Sequence, residues 1–121
     1  MRYATFRASR PLRISAALAL IICAGFAGRA LYAAAPPSTA ELNIAKFAFA
    51  PKEITIAPGT KVVWTNRDET PHTVTSNDKS FASKGLDTDD KFEHTFTKEG
   101  DFAYICTVHP FMTGVVHVRK Q

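Results

Sequence analysis

Short runs of alternating hydrophobic and polar residues, separated by turn residues, extend along residues 42–118. Ile54 and Ile56, for example, alternate with polar residues before a Pro58-Gly59 turn. No part of this region shows sustained helical periodicity. Because many short strands at close spacing are typical of sandwiches and barrels, the pattern predicts an all-β domain.

The parity of the hydrophobic positions changes early in this region. Leu42 and Ile44 share one parity, whereas Phe47 and Phe49 have the opposite one. Side chains alternate between the two faces of a strand, so one extra residue would return the aromatic side chains to the first face. We therefore predict a β-bulge near Ala45-Lys46.

Parity also places one cysteine and one histidine towards the core. Cys106 shares a strand face with Phe102 and Tyr104, and His72 shares one with Val74. A hydrophobic strand face packs on the core, so we expect both polar side chains at the end of that core. The sequence thus predicts a water-poor pocket between two strand ends.

The N-terminal 35 residues have the order of a secretory leader. An uncharged apolar run, Ile14–Phe26, precedes small residues from Gly28 to Ala35. Four arginines come before that run: Arg2, Arg7, Arg10 and Arg13. The run is shorter than the roughly 20 residues of a membrane span. This order predicts a signal peptide and short linker over residues 1–35, with cleavage after Ala30 or Ala35. An uncleaved leader that anchors the protein is the alternative.

The predicted exported domain, residues 36–121, differs in charge from the whole chain. The chain carries a net charge of +4, but all 11 acidic residues and only 10 of the 15 lysines and arginines lie beyond residue 35. The exported domain is therefore nearly neutral, which excludes the basic surface typical of a nucleic-acid binder. A single periplasmic domain of this size often depends on a metal or a disulfide for stability.

Cysteine content excludes an internal disulfide in that domain. Cys23 lies in the leader, so Cys106 is the one thiol that remains after cleavage. A lone thiol in an oxidising compartment is a chemical hazard unless it is buried or bound. The alternative is an inert buried cysteine, but this does not account for the His109 and Met112 side chains that follow Cys106.

The segment Cys106–Met112 contains a thiol, an imidazole and a thioether at three-residue intervals, the imidazole being His109. His72 adds a second imidazole from an earlier strand end. One thiolate, two imidazoles and a weak thioether are the donors of a blue copper electron-transfer site. The sequence therefore predicts one copper ion bound by His72, Cys106, His109 and Met112.

Two features of this donor set bear on its chemistry. Pro110 restricts both its own φ angle and the conformation of His109, which stiffens the loop. Four protein donors leave no position for a substrate, so the set disfavours hydrolytic or oxygenase chemistry and predicts that the protein is not an enzyme. Zinc is the alternative metal, although zinc sites rarely include a thioether.

The remaining polar clusters receive structural interpretations. His94 alternates with Phe92 and Phe96, and His117 lies within a predicted strand, so both are expected to pack on a sheet. The acidic segment Asp87–Asp90 is expected to be a solvated loop. Its alternative role is to steer a basic redox partner such as a c-type cytochrome.

With these residues, the chain resembles the cupredoxins, and within them most closely amicyanin, with plastocyanin and pseudoazurin as wider relatives. The resemblance is carried by Phe47–Pro51, Pro58-Gly59-Thr60, Val63–Asn66, Pro71-His72, Phe96–Gly100 and Tyr104–Gly114. It implies a Greek-key β-sandwich of about eight strands with copper near one end. It also implies that His109 is the solvent-facing ligand through which electrons enter and leave.

The resemblance further implies an apolar docking patch around His109, formed by Pro71, Pro110 and Phe111. Two positions depart from the family pattern. Thr73 stands where amicyanin and plastocyanin usually have asparagine, and we expect it to hydrogen-bond instead with Thr107. Val108 replaces a common proline. Because groups around the ligands tune a metal, both departures bear on the reduction potential.

The leading function is an exported type 1 copper protein that carries single electrons between redox proteins. Its partners would be a c-type cytochrome or a periplasmic dehydrogenase or reductase, and a diffusing shuttle is expected to be a monomer. The alternative is a periplasmic copper protein for storage, delivery or resistance. Such sites tend to be rich in methionine or histidine, whereas this chain has 2 methionines and 4 histidines. A domain used only for assembly of a larger oxidase is a third possibility.

Overall fold

The computed structural model describes residues 37–121, and the predicted signal peptide lies outside them. All regular elements in this range are strands. They are β1 (Thr39–Ala45), β2 (Ala48–Ala50), β3 (Glu53–Ile56), β4 (Thr60–Asn66), β5 (Thr75–Ser76), β6 (Lys91–Phe96), β7 (Gly100–Ile105) and β8 (Thr113–Val118). Residues 37–121 contain no helix that is long and apolar enough to cross a membrane.

The eight strands form two four-stranded sheets, in the orders β2-β1-β4-β6 and β3-β8-β7-β5. Parallel pairing joins β1 to β4 and β3 to β8, whereas the other pairs are antiparallel. Buried residues from both sheets belong to one hydrophobic core. The prediction of an all-β sandwich of about eight strands is confirmed.

The core is centred on Trp64, whose side chain is completely buried. Its ring lies 5.5 Å from that of Tyr104 and 5.7 Å from that of Phe92, measured between centroids. Phe81, from the long segment between β5 and β6, stacks on the same indole at 6.0 Å. Aromatic packing therefore joins the two sheets and secures this irregular segment to the core.

The predicted β-bulge near Ala45-Lys46 is wrong. The strand ends at Ala45, and Lys46 and Phe47 form a two-residue turn that leads antiparallel into β2, with Ala45 paired to Ala48. Both turn residues have positive φ angles, 54° and 56°. A two-residue hairpin needs such angles to match the twist of its strands. The change of parity results from this turn rather than from an inserted residue.

Candidate metal centre

His72 lies in the segment after β4, at one end of the sandwich. Its backbone is paired with that of Leu86, since each N–H donates to the other residue's carbonyl at 3.1 and 2.7 Å. The His72 side chain is fully buried. This two-residue bridge fixes the imidazole against the core although neither residue belongs to a regular strand.

The other sequence-predicted ligands lie on the loop that joins β7 to β8. The Cys106 N–H donates to the Met112 carbonyl at 3.1 Å, and the Met112 N–H donates to the His109 carbonyl at 2.9 Å. Cys106 and Met112 are buried, whereas His109 is partly exposed. The loop therefore closes on itself, with two donors towards the core and one towards the surface.

Three strong donor atoms converge between the two segments. Cys106 Sγ lies 3.8 Å from His72 Nδ1 and 3.8 Å from His109 Nδ1, and the two nitrogens are 3.2 Å apart. A trigonal ion at about 2.0 Å from each nitrogen and about 2.3 Å from sulfur needs separations of about 3.5 and 3.7 Å. The three side chains fit one metal ion without rearrangement.

Two threonines connect the segments that hold the donors. Thr73 Oγ1 accepts the backbone N–H of Thr107 at 2.8 Å and lies 2.8 Å from the Thr107 hydroxyl. The Thr73 backbone N–H donates to Cys106 Sγ at 3.3 Å. These contacts orient the sulfur and tie the loop to the His72 segment, which limits movement of the donors.

The Thr73→Val variant tests this connection. Valine keeps the shape but removes the oxygen that accepts the Thr107 N–H, so we expect the free energy of unfolding to fall by about 1 kcal/mol. Urea unfolding of the metal-free protein measures this loss. The Thr73→Ser variant keeps the hydroxyl and serves as the control. A free energy of unfolding of Thr73→Val equal to that of the wild type would show that the contact contributes nothing.

Two residues that the sequence did not single out also reach the centre. Asp68 Oδ2 lies 2.9 Å from His72 Nε2, on the side of the ring away from Cys106. Partial burial by itself would raise the pKa of Asp68, but N–H donors from Phe47 and Lys46 and the contact with His72 hold it below its ordinary value. Phe47 packs edge-on against both imidazoles, at 5.4 Å from His72 and 5.1 Å from His109.

The sequence contained only a weak signal for these two residues. An acidic residue four positions before a metal-binding histidine is common in any polar loop, and the parity argument assigned Phe47 to a strand. Their contacts join segments far apart in the chain, since Lys46 and Asp68 are separated by 22 positions. Local pattern carries no information about contacts at such separations.

The surface around His109 is apolar. Pro71 and Pro110 are exposed, and Phe111 has 71% of its surface accessible. The Phe111 ring lies 6.0 Å from the His109 imidazole. Val108, at 57% exposure, and Phe47, at 43%, extend the same type of surface. The partly exposed donor is thus surrounded mainly by hydrophobic groups, and Lys52 lines the surface pocket beside Phe47 and Phe111.

The other two histidines are remote from this cluster. His94 stacks on Phe81 at 4.7 Å, and burial lowers its pKa. His117 pairs with Asp101 at 2.6 Å on the outer face of β8, and this partner raises its pKa. Among residues 37–121, the only set of three potential metal-binding groups within reach of one another is His72, Cys106 and His109.

Comparison with known sequences identifies the group of proteins to which this site belongs. A sequence model of copper-binding proteins of the plastocyanin/azurin family matches residues 38–119. The chain belongs to this family. The match includes β1 to β8 together with all four predicted ligands.

This cupredoxin is 37% identical over 118 residues to amicyanin-alpha of Methylorubrum extorquens, with 91% of this chain and 99% of the relative covered. The purple cupredoxin of Nitrosopumilus maritimus superposes with a TM-score of 0.63 at 35% identity, covering 66% of this chain and 99% of that one. A copper-containing nitrite reductase of Thermus scotoductus has a TM-score of 0.66 at 27% identity, with 72% of this chain but only 24% of that one covered.

The cofactor of this cupredoxin is copper. His72, Cys106, His109 and Met112 form the pattern of a type 1 copper site in a copper-binding family, which confirms the cofactor prediction. Homology to amicyanins supports a blue copper electron carrier. The likeness to the nitrite reductase covers 24% of that enzyme.

Proposed function

We propose that this cupredoxin is an exported carrier of single electrons that works in the periplasm. The residues that would hold the copper ion are His72, Cys106, His109 and, as a weaker thioether donor, Met112. The observation that carries the proposal is the triangle of Sγ and two Nδ1 atoms, with sides of 3.8, 3.8 and 3.2 Å. The leader-like composition of residues 1–35 supports export.

Copper in this site would supply reversible one-electron chemistry, because the thiolate and thioether suit Cu(I) and the imidazoles suit Cu(II). The protein's part is to hold the donors still. The Thr73–Thr107 contact, the Cys106–Met112 backbone bond and the His72–Leu86 bridge all restrain them. A rigid site keeps structural rearrangement small when the electron arrives or leaves.

The apolar surface around His109 supports a docking role for Pro71, Pro110 and Phe111. A small, mainly hydrophobic contact allows a partner to bind briefly, through an interface at the small end of the usual range. His109 would then lie between the copper and the partner. The partner is a redox protein, a c-type cytochrome or a periplasmic dehydrogenase or reductase, and the carrier is proposed to act as a monomer.

The proposal is tested by the absorption and EPR spectra of the purified protein after addition of Cu(II). An intense blue charge-transfer band with narrow copper hyperfine splitting is the expected result. A colourless protein that binds Cu(I) or zinc without that band would overturn electron transfer and favour copper storage or delivery. The mass of the exported protein tests whether the predicted leader is removed, and cleavage is expected after Ala30 or Ala35.

A further inference from the structure

Asp68 occupies the point where three hydrogen-bond donors meet. Its Oδ1 accepts the Lys46 N–H at 2.6 Å, and its Oδ2 accepts the Phe47 N–H at 2.9 Å. The same Oδ2 lies 2.9 Å from His72 Nε2. The Asp68 side chain is 15% exposed, and its two contacts with the turn lie at the surface. One carboxylate therefore joins the β1–β2 turn to a ligand of the metal centre.

The turn needs this carboxylate because its sequence does not favour its conformation. Lys46 and Phe47 have φ angles of 54° and 56°, a region that suits Asn-Gly rather than lysine and phenylalanine. Two N–H groups that point at one carboxylate compensate for this conformation. The β1–β2 turn directs the Phe47 ring edge-on against His72 and His109, with interplanar angles of 88° and 89°.

The carboxylate also determines which nitrogen of His72 carries the proton. Both Asp68 oxygens accept backbone N–H groups, and Oδ2 also faces His72 Nε2, so the carboxylate acts as an acceptor and Nε2 is the nitrogen that carries the proton. Nδ1, which faces Cys106 Sγ, then keeps its lone pair for a metal ion. Carboxylates that receive the second N–H of a histidine ligand fix its tautomer and ring orientation in the same manner.

We propose that Asp68 is a positioning residue of the copper centre, which holds His72 in the Nε2–H tautomer and the Phe47 ring over both imidazoles. This inference rests on the proposed function, because His72 is a ligand only if the site binds copper as described. Asp68 touches neither Cys106 nor His109 and acts on the metal through other residues.

The experiment compares Asp68→Ala with Asp78→Ala, both in the protein purified after expression of the full chain. Asp78 is a matched control, since it also accepts a backbone N–H, that of Ser80 at 3.0 Å, beside a residue of positive φ, Lys79 at 61°. It lies outside the metal centre. Imidazole ¹⁵N shifts of the metal-free protein report the tautomer of His72, and competition with a chelator measures Cu(II) affinity.

We expect His72 in the wild type and in Asp78→Ala to be the Nε2–H tautomer alone. In Asp68→Ala the Nδ1–H tautomer becomes populated, and Cu(II) affinity falls about 10- to 100-fold. An unchanged tautomer with an affinity within twofold of the control would overturn the proposal. The Cu(II) affinity of the Asp68→Asn variant should lie between those of the wild type and Asp68→Ala, because its amide offers one acceptor oxygen instead of two.

Asp68→Ala is also tested in a protein with an altered turn, which separates the effect of Asp68 on His72 from its effect on the turn. Lys46→Asn with Phe47→Gly provides a turn sequence that needs no carboxylate. Asp68→Ala should still lower Cu(II) affinity in the protein with the Asn-Gly turn. If it lowers the affinity only in the protein with the Lys46-Phe47 turn, the proposal that Asp68 positions His72 is overturned. The tautomer is measured without metal, so it decides the role of Asp68 even if the wild type lacks the blue band and the proposed function fails.

Discussion

The Cys106→Ser variant is expected to lose the blue absorption band completely. The band arises from charge transfer between a thiolate and Cu(II), and a serine hydroxyl neither ionises at neutral pH nor provides a soft donor. Cys106 supplies the only sulfur of the three converging donors, at 3.8 Å from each imidazole nitrogen. Absorption and EPR spectra after addition of Cu(II) measure the change.

The chain offers a matched control for this variant. Cys23→Ser makes the same chemical change in the predicted leader and should leave the spectrum of the purified protein unaltered. Serine is nearly isosteric with cysteine, and the Thr73 N–H that reaches Cys106 Sγ could donate to its hydroxyl. Unfolding curves would verify that both variants fold. An intense blue band that persists in Cys106→Ser would contradict the assignment of the thiolate ligand.

The Gly114→Ala variant is expected to lose about 3 kcal/mol of unfolding free energy, the upper part of the range for overpacked cores. Gly114 lies directly opposite Tyr104 in the β7–β8 pair. A Cβ atom there would lie closer to Tyr104 Cζ and Oη than real Cβ contacts allow. The Tyr104 ring is fully buried and packs on Phe49 at 4.7 Å and Trp64 at 5.5 Å, so it has no space to retreat.

Gly85→Ala is the control, because a Cβ at Gly85 meets no atom within 4 Å. Both variants lower the backbone entropy of the unfolded chain equally, so the difference between them isolates the clash. Urea unfolding of the metal-free proteins gives the two free energies. Equal values would mean that the Tyr104 ring moves without cost, against the close packing of this core.

The ligand set was predictable because most of it is local. Cys106, His109 and Met112 lie on one short loop, and their residue types alone indicate copper chemistry. Alternation of hydrophobic residues identified the strands for a similar reason, since the parity of a strand is a property of neighbouring residues. The turn at Lys46-Phe47 was not predictable in this way, because neither side chain is typical of positive φ angles.

The amino-acid sequence by itself determined the all-β class, the copper-binding donor types and the burial of Cys106 on the same strand face as Tyr104. Only the tertiary structure decided that Asp68 receives two N–H groups of the turn and faces His72, and that Phe47 packs against both imidazoles. The physical reason is the separation along the chain between the residues that interact. Periodicity and spacing describe neighbours along the chain, whereas these contacts exist because the pairing of β1 with β4 brings the two loops to the same end of the sandwich.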